Sequence, residues 1–317
     1  MPGAVSQDGS RAYGLAIDPA TGDQSIGAVD LRTGTLTRLV DVPATSSGLI
    51  SMVVDDRWLA WVQGDSVSLP QAWTIHALGL ATGEQLTLAT SELPDGSLLF
   101  GQQPLLAIRG GVVSWAQPTS TDGPIATAEV RAYDLDAGRV SVLDSGRVSS
   151  PVIAGPLMVW GRIDSDGKTV LRAVDAATYR PVELPEQLRT QPGIIYLAGS
   201  SRYLVWSTDW HQLVAWRMDT GLVTTYTIAP TGDVLQFLSI AGHFMIWFAG
   251  SHYAVLDLRT GGAFDAATHG GLIDLLVGST TAIVRIEPQP GPSKGPGGST
   301  VFSLRTAAAP GIPGPAR

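Results

Sequence analysis

Cysteine is absent from all 317 residues, which excludes disulfides and thiolate metal sites and leaves the redox compartment open. Charge is scarce as well: only 15% of residues are Asp, Glu, Lys or Arg, and 20 basic residues face 28 acidic ones for a net charge of -8. Nothing gathers into a basic patch, so binding that tracks a phosphate backbone is excluded and no nucleic-acid partner is expected. No run reaches the roughly 18 apolar residues of a membrane span, and no signal-peptide core is present. The sequence as it stands is therefore expected neither to cross a membrane nor to carry its own export signal. The common catalytic signatures are missing too: no Gly-x-Ser-x-Gly, no His-Glu-x-x-His and no Gly-x-x-x-x-Gly-Lys. The glycines from Gly291 to Gly298 surround Lys294, but prolines interrupt them and no helical pattern follows, so the stretch reads as a loop.

What is present is a repeat. An apolar run ending in tryptophan recurs as Leu59-Ala60-Trp61, Val113-Ser114-Trp115, Met158-Val159-Trp160, Leu204-Val205-Trp206 and Met245-Ile246-Trp247, with Gly14 and Val284 at the same place in the first and last copies. Each run is followed by a turn such as Asp30-Leu31-Arg32-Thr33-Gly34, Gly79-Leu80-Ala81-Thr82-Gly83, Asp134-Leu135-Asp136-Ala137-Gly138 or Asp257-Leu258-Arg259-Thr260-Gly261. The copies stand 47, 54, 45, 46, 41 and 37 residues apart, counted from positions 14, 61, 115, 160, 206, 247 and 284. A period of this length with strand signals throughout predicts an all-β fold, a β-propeller of seven blades of four-stranded antiparallel sheet. Six blades is the alternative, if the first unit completes the last. The expected organisation is one propeller domain over residues 1–306 and a disordered Pro/Ala/Gly-rich tail over 307–317. A chain of this length buries roughly three quarters of its unfolded surface without a covalent staple.

Each unit predicts four strands; in the second they are 49–54, 58–63, 73–80 and 85–89. Second strands such as Tyr203-Leu204-Val205-Trp206 are apolar at consecutive positions, as strands covered on both faces must be. Outer strands alternate, with Leu86 and Leu88 around Thr87 and Val140 and Val142 around Ser141, the pattern of a strand with one wet face. The Thr-Gly step closes the hairpin between third and outer strands, where glycine supplies a positive φ. The aspartate opening the turn is expected to bond nearby amides. Even spacing sets one such aspartate on each blade rim, far from the others, so no carboxylate cluster is expected. The repeated tryptophans read as wedges packed between blades. At the ends, the first inner strand reduces to Gly3-Ala4-Val5, and the last unit has strands at 272–277, 282–286 and 300–304 with no outer strand. The abrupt start inside the first unit is the expectation for an ectodomain cut from a longer surface protein.

The segment Pro151-Val152-Ile153-Ala154-Gly155-Pro156-Leu157-Met158-Val159-Trp160 resembles the repeat of the TolB-like (PD40/WD40-type) β-propellers, with its proline-led inner strand and glycine hairpin. Ser6-Gln7-Asp8-Gly9-Ser10-Arg11-Ala12-Tyr13 is similar to the Ser-Pro-Asp-Gly form of that repeat, with Gln7 in place of proline. Asp257-Leu258-Arg259-Thr260-Gly261 is similar to its Asp-Leu-x-Thr-Gly turn. The resemblance covers nearly the whole chain and implies a bacterial or archaeal, extracytoplasmic (periplasmic or cell-surface) interaction platform. Related blades also occur in metal-dependent polysaccharide lyases. Two departures stand out: the Asp that often follows the tryptophan survives only loosely, as Asp209, and several copies lose the turn aspartate.

Loops from outer to next inner strand, and from second to third strand, leave a blade at the same end, and that end is the default binding surface. The stretches 63–72, 117–128, 162–169, 208–212, 250–252 and 287–299 map there. His211 and His252 lie in these stretches, with Asp209 and Trp210 beside the first, and His269 maps to the same face. Imidazoles with a carboxylate can hold a divalent metal or exchange protons, so these histidines are the metal candidates, although no cofactor is required. Trp210 and Trp73 lie outside the repeated tryptophan position and are candidate platforms for a sugar ring or a partner side chain. His76 and His243 map to a third strand and to the opposite hairpin and are set aside. Three readings follow: a non-enzymatic module binding a protein or carbohydrate partner, a lyase-like metal-dependent enzyme, or a structural domain of a surface protein.

Overall fold

The computed structural model describes residues 3–18, 20–43, 48–64, 72–101, 103–121, 127–191, 193–227, 235–249, 252–267, 273–277, 281–286 and 300–305. The tail 307–317 lies outside them. The chain divides into two compact units, Met1–Pro192 and Gly193–Arg317.

The first unit holds four successive four-stranded antiparallel meanders, each ordered as in the sequence. The first is β1 Gly3–Val5, β2 Arg11–Ile17, β3 Gln24–Asp30 and β4 Leu36–Val42. The second is β5 Gly48–Val54, β6 Trp58–Gly64, β7 Trp73–Gly79 and β8 Gln85–Thr90, within a residue or two of the reading from sequence. Then come β9 Ala107–Arg109, β10 Val112–Pro118, β11 Ala128–Asp134 and β12 Arg139–Gly146. The fourth comprises β13 Val152–Ala154, β14 Leu157–Ile163, β15 Thr169–Asp175 and, after the short helix α1 Glu186–Arg189, β16 Thr190–Gln191.

The second unit repeats the pattern twice, as β17 Leu197–Gly199, β18 Tyr203–Ser207, β19 Gln212–Arg217 and β20 Leu222–Thr227, then β21 Leu235–Ala241, β22 Phe244–Ala249, β23 His252–Asp257 and β24 Ala263–Ala267. It ends in an antiparallel ladder of three strands, β25 Ile273–Val277, β26 Thr281–Ile286 and β27 Thr300–Arg305. Six complete blades are thus described, the count named as the alternative to seven, and the seventh repeat contributes three strands.

Burial follows from the sequence pattern. Along β6, Leu59 and Trp61 pack with Tyr13 and Ile26 of the first blade. The intervening Trp58, Ala60 and Val62 pack with Val113 and Trp115 of the third. A strand covered on both faces needs apolar residues at every position, and these five are all buried. The repeated tryptophans occupy equivalent places: Trp115 faces the second blade, Trp160 packs with Val130 and Ala132 of the third, and Trp247 lies against the cluster built on Tyr203 and Val205. Their indole N–H groups meet different surroundings. Trp115 Nε1 donates to Gln117 Oε1 at 2.9 Å and Trp160 Nε1 to Asp144 Oδ2 at 2.9 Å. Trp61 Nε1 has no hydrogen-bond partner among the described residues and stacks instead on His76 at 5.2 Å.

One main-chain bond marks every described turn end. The residue after the third strand donates its N–H to the carbonyl just before the second strand: Leu31 to Ser10, Leu80 to Arg57, Leu135 to Gly111, Ala176 to Pro156, Met218 to Arg202 and Leu258 to His243, all at 2.8–2.9 Å. The two hairpins of each blade are thereby stitched together at one end, leaving the other end free for longer loops.

The outer strands depart from expectation in one case. Leu86 and Leu88 of β8 turn inward as predicted and pack against the core. Val140 and Val142 of β12 instead stand 48% and 54% exposed, while Leu143 packs inward. In both strands the covered side faces the following blade. In β12 that side carries Ser141 and Leu143, because Ser141 pairs with Ala132 and Val140 with Tyr133. Alternation reveals that a strand has two unlike faces, but not which one a neighbour covers.

Candidate functional site

Three of the sequence candidates, Asp209, Trp210 and His211, are consecutive residues of the hairpin that joins β18 to β19. Asp209 Oδ1 accepts the N–H of His211 at 2.7 Å and of Gln212 at 2.6 Å, and Thr208 N donates to Gln212 O at 3.2 Å. An aspartate accepting amides two and three residues on is the local solution to a tight turn. It spends one carboxylate oxygen on the backbone and holds Trp210 outward, 44% exposed, with His211 exposed beside it. The strand entering this blade lies alongside: Ile195 N donates to Ser207 O at 3.2 Å and Tyr196 N to Ser207 Oγ at 3.0 Å. Ile195 is 37% exposed at the same end. In the next blade Phe237, also 37% exposed, stands at a bulge near the start of β21, which is again the loop end.

Trp73 is a correction. It is only 2% exposed, packed with Trp58, Val62 and Ile75, and its main chain is closed off by Ser91. Its N–H donates to Ser91 Oγ at 2.9 Å, so it is a core residue with no face for a ligand. An aromatic residue opening a strand is exposed or buried according to what folds over it, and the chain after β8 folds over this one. His269 and the side chain of His252 lie outside the described residues. Among the described residues no three His, Asp or Glu side chains gather as metal ligands.

At the opposite, turn end, the aspartates act on their own backbone. Asp30, Asp134 and Asp175 each accept two amide N–H groups through Oδ1 at 2.8–3.1 Å. For Asp30 these bonds, and for Asp175 first the Thr178 hydroxyl, hold the carboxyl below its ordinary value. The rims are nonetheless closer than even spacing suggested. Asp134 and Asp175, from adjacent blades, line one groove of about 540 Å³ with Asp136 and Arg109. Face-to-face sheets pack only about 10 Å apart, which brings neighbouring rims together. Asp136 is occupied by Arg57, whose Nη1 and Nη2 donate to its two oxygens at 3.0 and 2.9 Å.

Reasoning from repeats overlooked the exposed apolar residues at the loop ends. Ten large hydrophobic side chains are exposed among the described residues. Leu36, Val140, Val142 and Leu222 belong to outer strands, but Ile17, Phe100 and Leu105 in the first unit, and Ile195, Trp210 and Phe237 in the second, sit at loop ends. The signal for Phe100 and Leu105 was the repeat spacing itself, since 54 residues between Trp61 and Trp115 is the longest interval and implies an insertion.

No family model and no curated protein matches the sequence. Solved structures do. One from a structural and mechanistic study of two prolyl endopeptidases superposes with a TM-score of 0.60 at 14% identity, over 96% of this chain and 46% of that chain. An acylaminoacyl peptidase in complex with a chloromethyl ketone gives 0.57 at 10% identity, over 93% and 51%. A chain of the mitotic checkpoint complex gives 0.52 at 12% identity, over 91% and 86%. The chain spans about half the length of the peptidase structures it matches. At such identities the likeness carries architecture and no activity, and what the repeated four-stranded meanders and these superpositions establish together is a β-propeller fold.

Proposed function

We propose that this propeller is a non-enzymatic interaction module of the TolB-like type, working outside the cytoplasm and engaging a protein partner through the loop ends of its blades. The observation that carries this reading is Trp210, 44% exposed on a hairpin that Asp209 pins from beneath, with Ile195 exposed on the same blade. A rigid aromatic beside an aliphatic side chain is the composition of a protein-binding hot spot, and ordering it costs little when the turn is already fixed. The polar side chains of Asp209, His211 and Gln212 beside the indole make a carbohydrate the second reading.

A thermal-shift screen with divalent metals and oligosaccharides, run on the wild type and on Trp210→Ala, His211→Ala and His252→Ala, separates the readings. A ligand at one hundred times its Kd stabilises by about 2.7 kcal/mol. The proposal predicts no shift with metals or sugars. A metal-dependent shift abolished by both histidine substitutions would overturn it in favour of a metal-dependent enzyme, and a sugar shift abolished by Trp210→Ala would make the partner a carbohydrate.

A further inference from the structure

The connection from β8 to β9 is sixteen residues long (91–106), whereas the other connections from an outer to the next inner strand are five (43–47, 147–151, 192–196 and 268–272) or seven (228–234). It is folded. Leu93 N donates to Ser97 O and Leu99 N to Ser91 O, both at 2.8 Å, and Glu92 bridges to Leu98, so the chain turns back on itself as a miniature hairpin. At its tip Asp95 Oδ1 accepts the N–H of Ser97 at 3.0 Å and its hydroxyl at 2.6 Å. The base is anchored by buried Ser91 against Trp73, by buried Leu99, and by Leu106, whose N–H donates to Ser51 Oγ at 3.1 Å. Phe100 N donates to Ser120 O at 2.7 Å, tying the hairpin to the loop after β10.

On this anchored frame two large apolar side chains remain in water, Phe100 at 39% and Leu105 at 49% exposure. The same segment carries two charges, Glu92 and Asp95, both exposed, and residues 91–106 contain no lysine or arginine. Long connections in compact folds are either slack or functional, and the described residues of this one are held by turns and anchors at an entropic cost. Its own fold uses Leu99 and Leu106, leaving Phe100 and Leu105 without a structural task. Acidic groups beside exposed apolar ones favour a partner of complementary sign.

We infer that residues 91–106 are a docking element for a polypeptide segment that presents aromatic or aliphatic side chains flanked by lysine or arginine. This deepens, and rests on, the interaction-module reading above. Phe100 and Leu105 supply the apolar contact, and Glu92 and Asp95 supply the charge.

The test is selection of random dodecapeptides displayed on phage against the wild-type chain, with counter-selection against the Phe100→Ser/Leu105→Ser double variant. The enriched peptides are expected to combine aromatic or aliphatic residues with net positive charge. Synthesised and titrated, they should lose at least about tenfold in affinity on the double variant. On Glu92→Gln/Asp95→Asn, which keeps the turn-forming oxygen, they should lose several-fold together with most of their salt dependence. Trp210→Ala should leave their binding unchanged. Neutral or acidic enriched peptides, or binding indifferent to positions 100 and 105, would overturn the inference. Peptides that instead depend on Trp210 would overturn it while sustaining the module reading, and a library that enriches nothing would overturn both.

Discussion

Tyr179 is the one described non-glycine residue with a positive φ, at 58°, and it stands where Gly34, Gly83, Gly138, Gly221 and Gly261 stand in the other turns. The left-handed conformation costs an L-residue about 1–2 kcal/mol, which is why the repeat writes glycine there. A Cβ at Gly83 would meet nothing within 4 Å, so Gly83→Ala should lose about 1–2 kcal/mol from the backbone alone, read as a lower denaturant midpoint at unchanged slope. An unchanged midpoint would mean the turn can relax.

His243 makes a prediction of another kind. Burial, then Arg259, holds its pKa below the ordinary value against the opposing pull of Asp257, whose Oδ1 lies 3.7 Å from Nε2. A group depressed in the folded state binds protons more readily when unfolded. Its contribution to stability is therefore complete above about pH 6.5 and drains away as pH falls through that value to the folded pKa. Melting temperatures from pH 8 to pH 5 should fall for the wild type and stay flatter for His243→Phe. Asp8, lowered to about 2 by hydrogen bonds from Ser6 and Ser10, acts in a separate window below about pH 4. The turn chemistry was legible because the repeat writes it over and over; Tyr179 and His243 are single departures, and a repeat carries no information about those.

Between elements, the blades are joined by polar latches as well as by tryptophan. Asp55 is 3% exposed; its Oδ1 accepts the N–H of Arg57 and Trp58, and its Oδ2 accepts Gly111 N of the third blade at 2.8 Å. In the second unit Ser200 holds the same turn position and donates to Gly242 O of the following blade at 2.7 Å. Removing Asp55 strands buried donors in two blades, so Asp55→Ala should cost about 3 kcal/mol, against about 1 kcal/mol for Ser200→Ala, by chemical denaturation. Equal costs would show that the carboxylate acts only within its own turn. These latches could not be read from sequence, because the position varies among Asp55, Arg109, Ala154, Ser200 and Ala241, and no polar residue recurs among those five. The tryptophan wedges were legible for the converse reason, and Trp115→Ala, which empties a fully buried site, should cost about 3–5 kcal/mol.

At the scale of the molecule, repetition of one blade pattern explains why architecture emerged from the sequence and binding did not. Burial on both faces dictates apolar residues at every position of a second strand, and that constraint is visible in Leu204-Val205-Trp206 without coordinates. No comparable constraint governs a loop end. Trp210 could be singled out because it broke the tryptophan pattern; the long repeat interval marks only the segment that holds Phe100 and Leu105, and Ile195 and Phe237 become candidates only once their exposure is known. Trp73 went the other way, an off-pattern tryptophan that the chain buries. The loop ends and the turn ends thus differ in kind: one end is stitched by repeated main-chain bonds and self-satisfied aspartates, the other displays apolar side chains on pinned frames.

The measurement that tests this division most directly is a hydrogen-exchange footprint of a peptide selected on the wild-type chain with no bias as to site. Peptides selected blindly gather where exposed apolar anchors stand on rigid frames. The account predicts protection of amides in 207–212 or 91–106 and none in the turns 30–36, 79–85 and 134–139. Protection confined to those turns would contradict it.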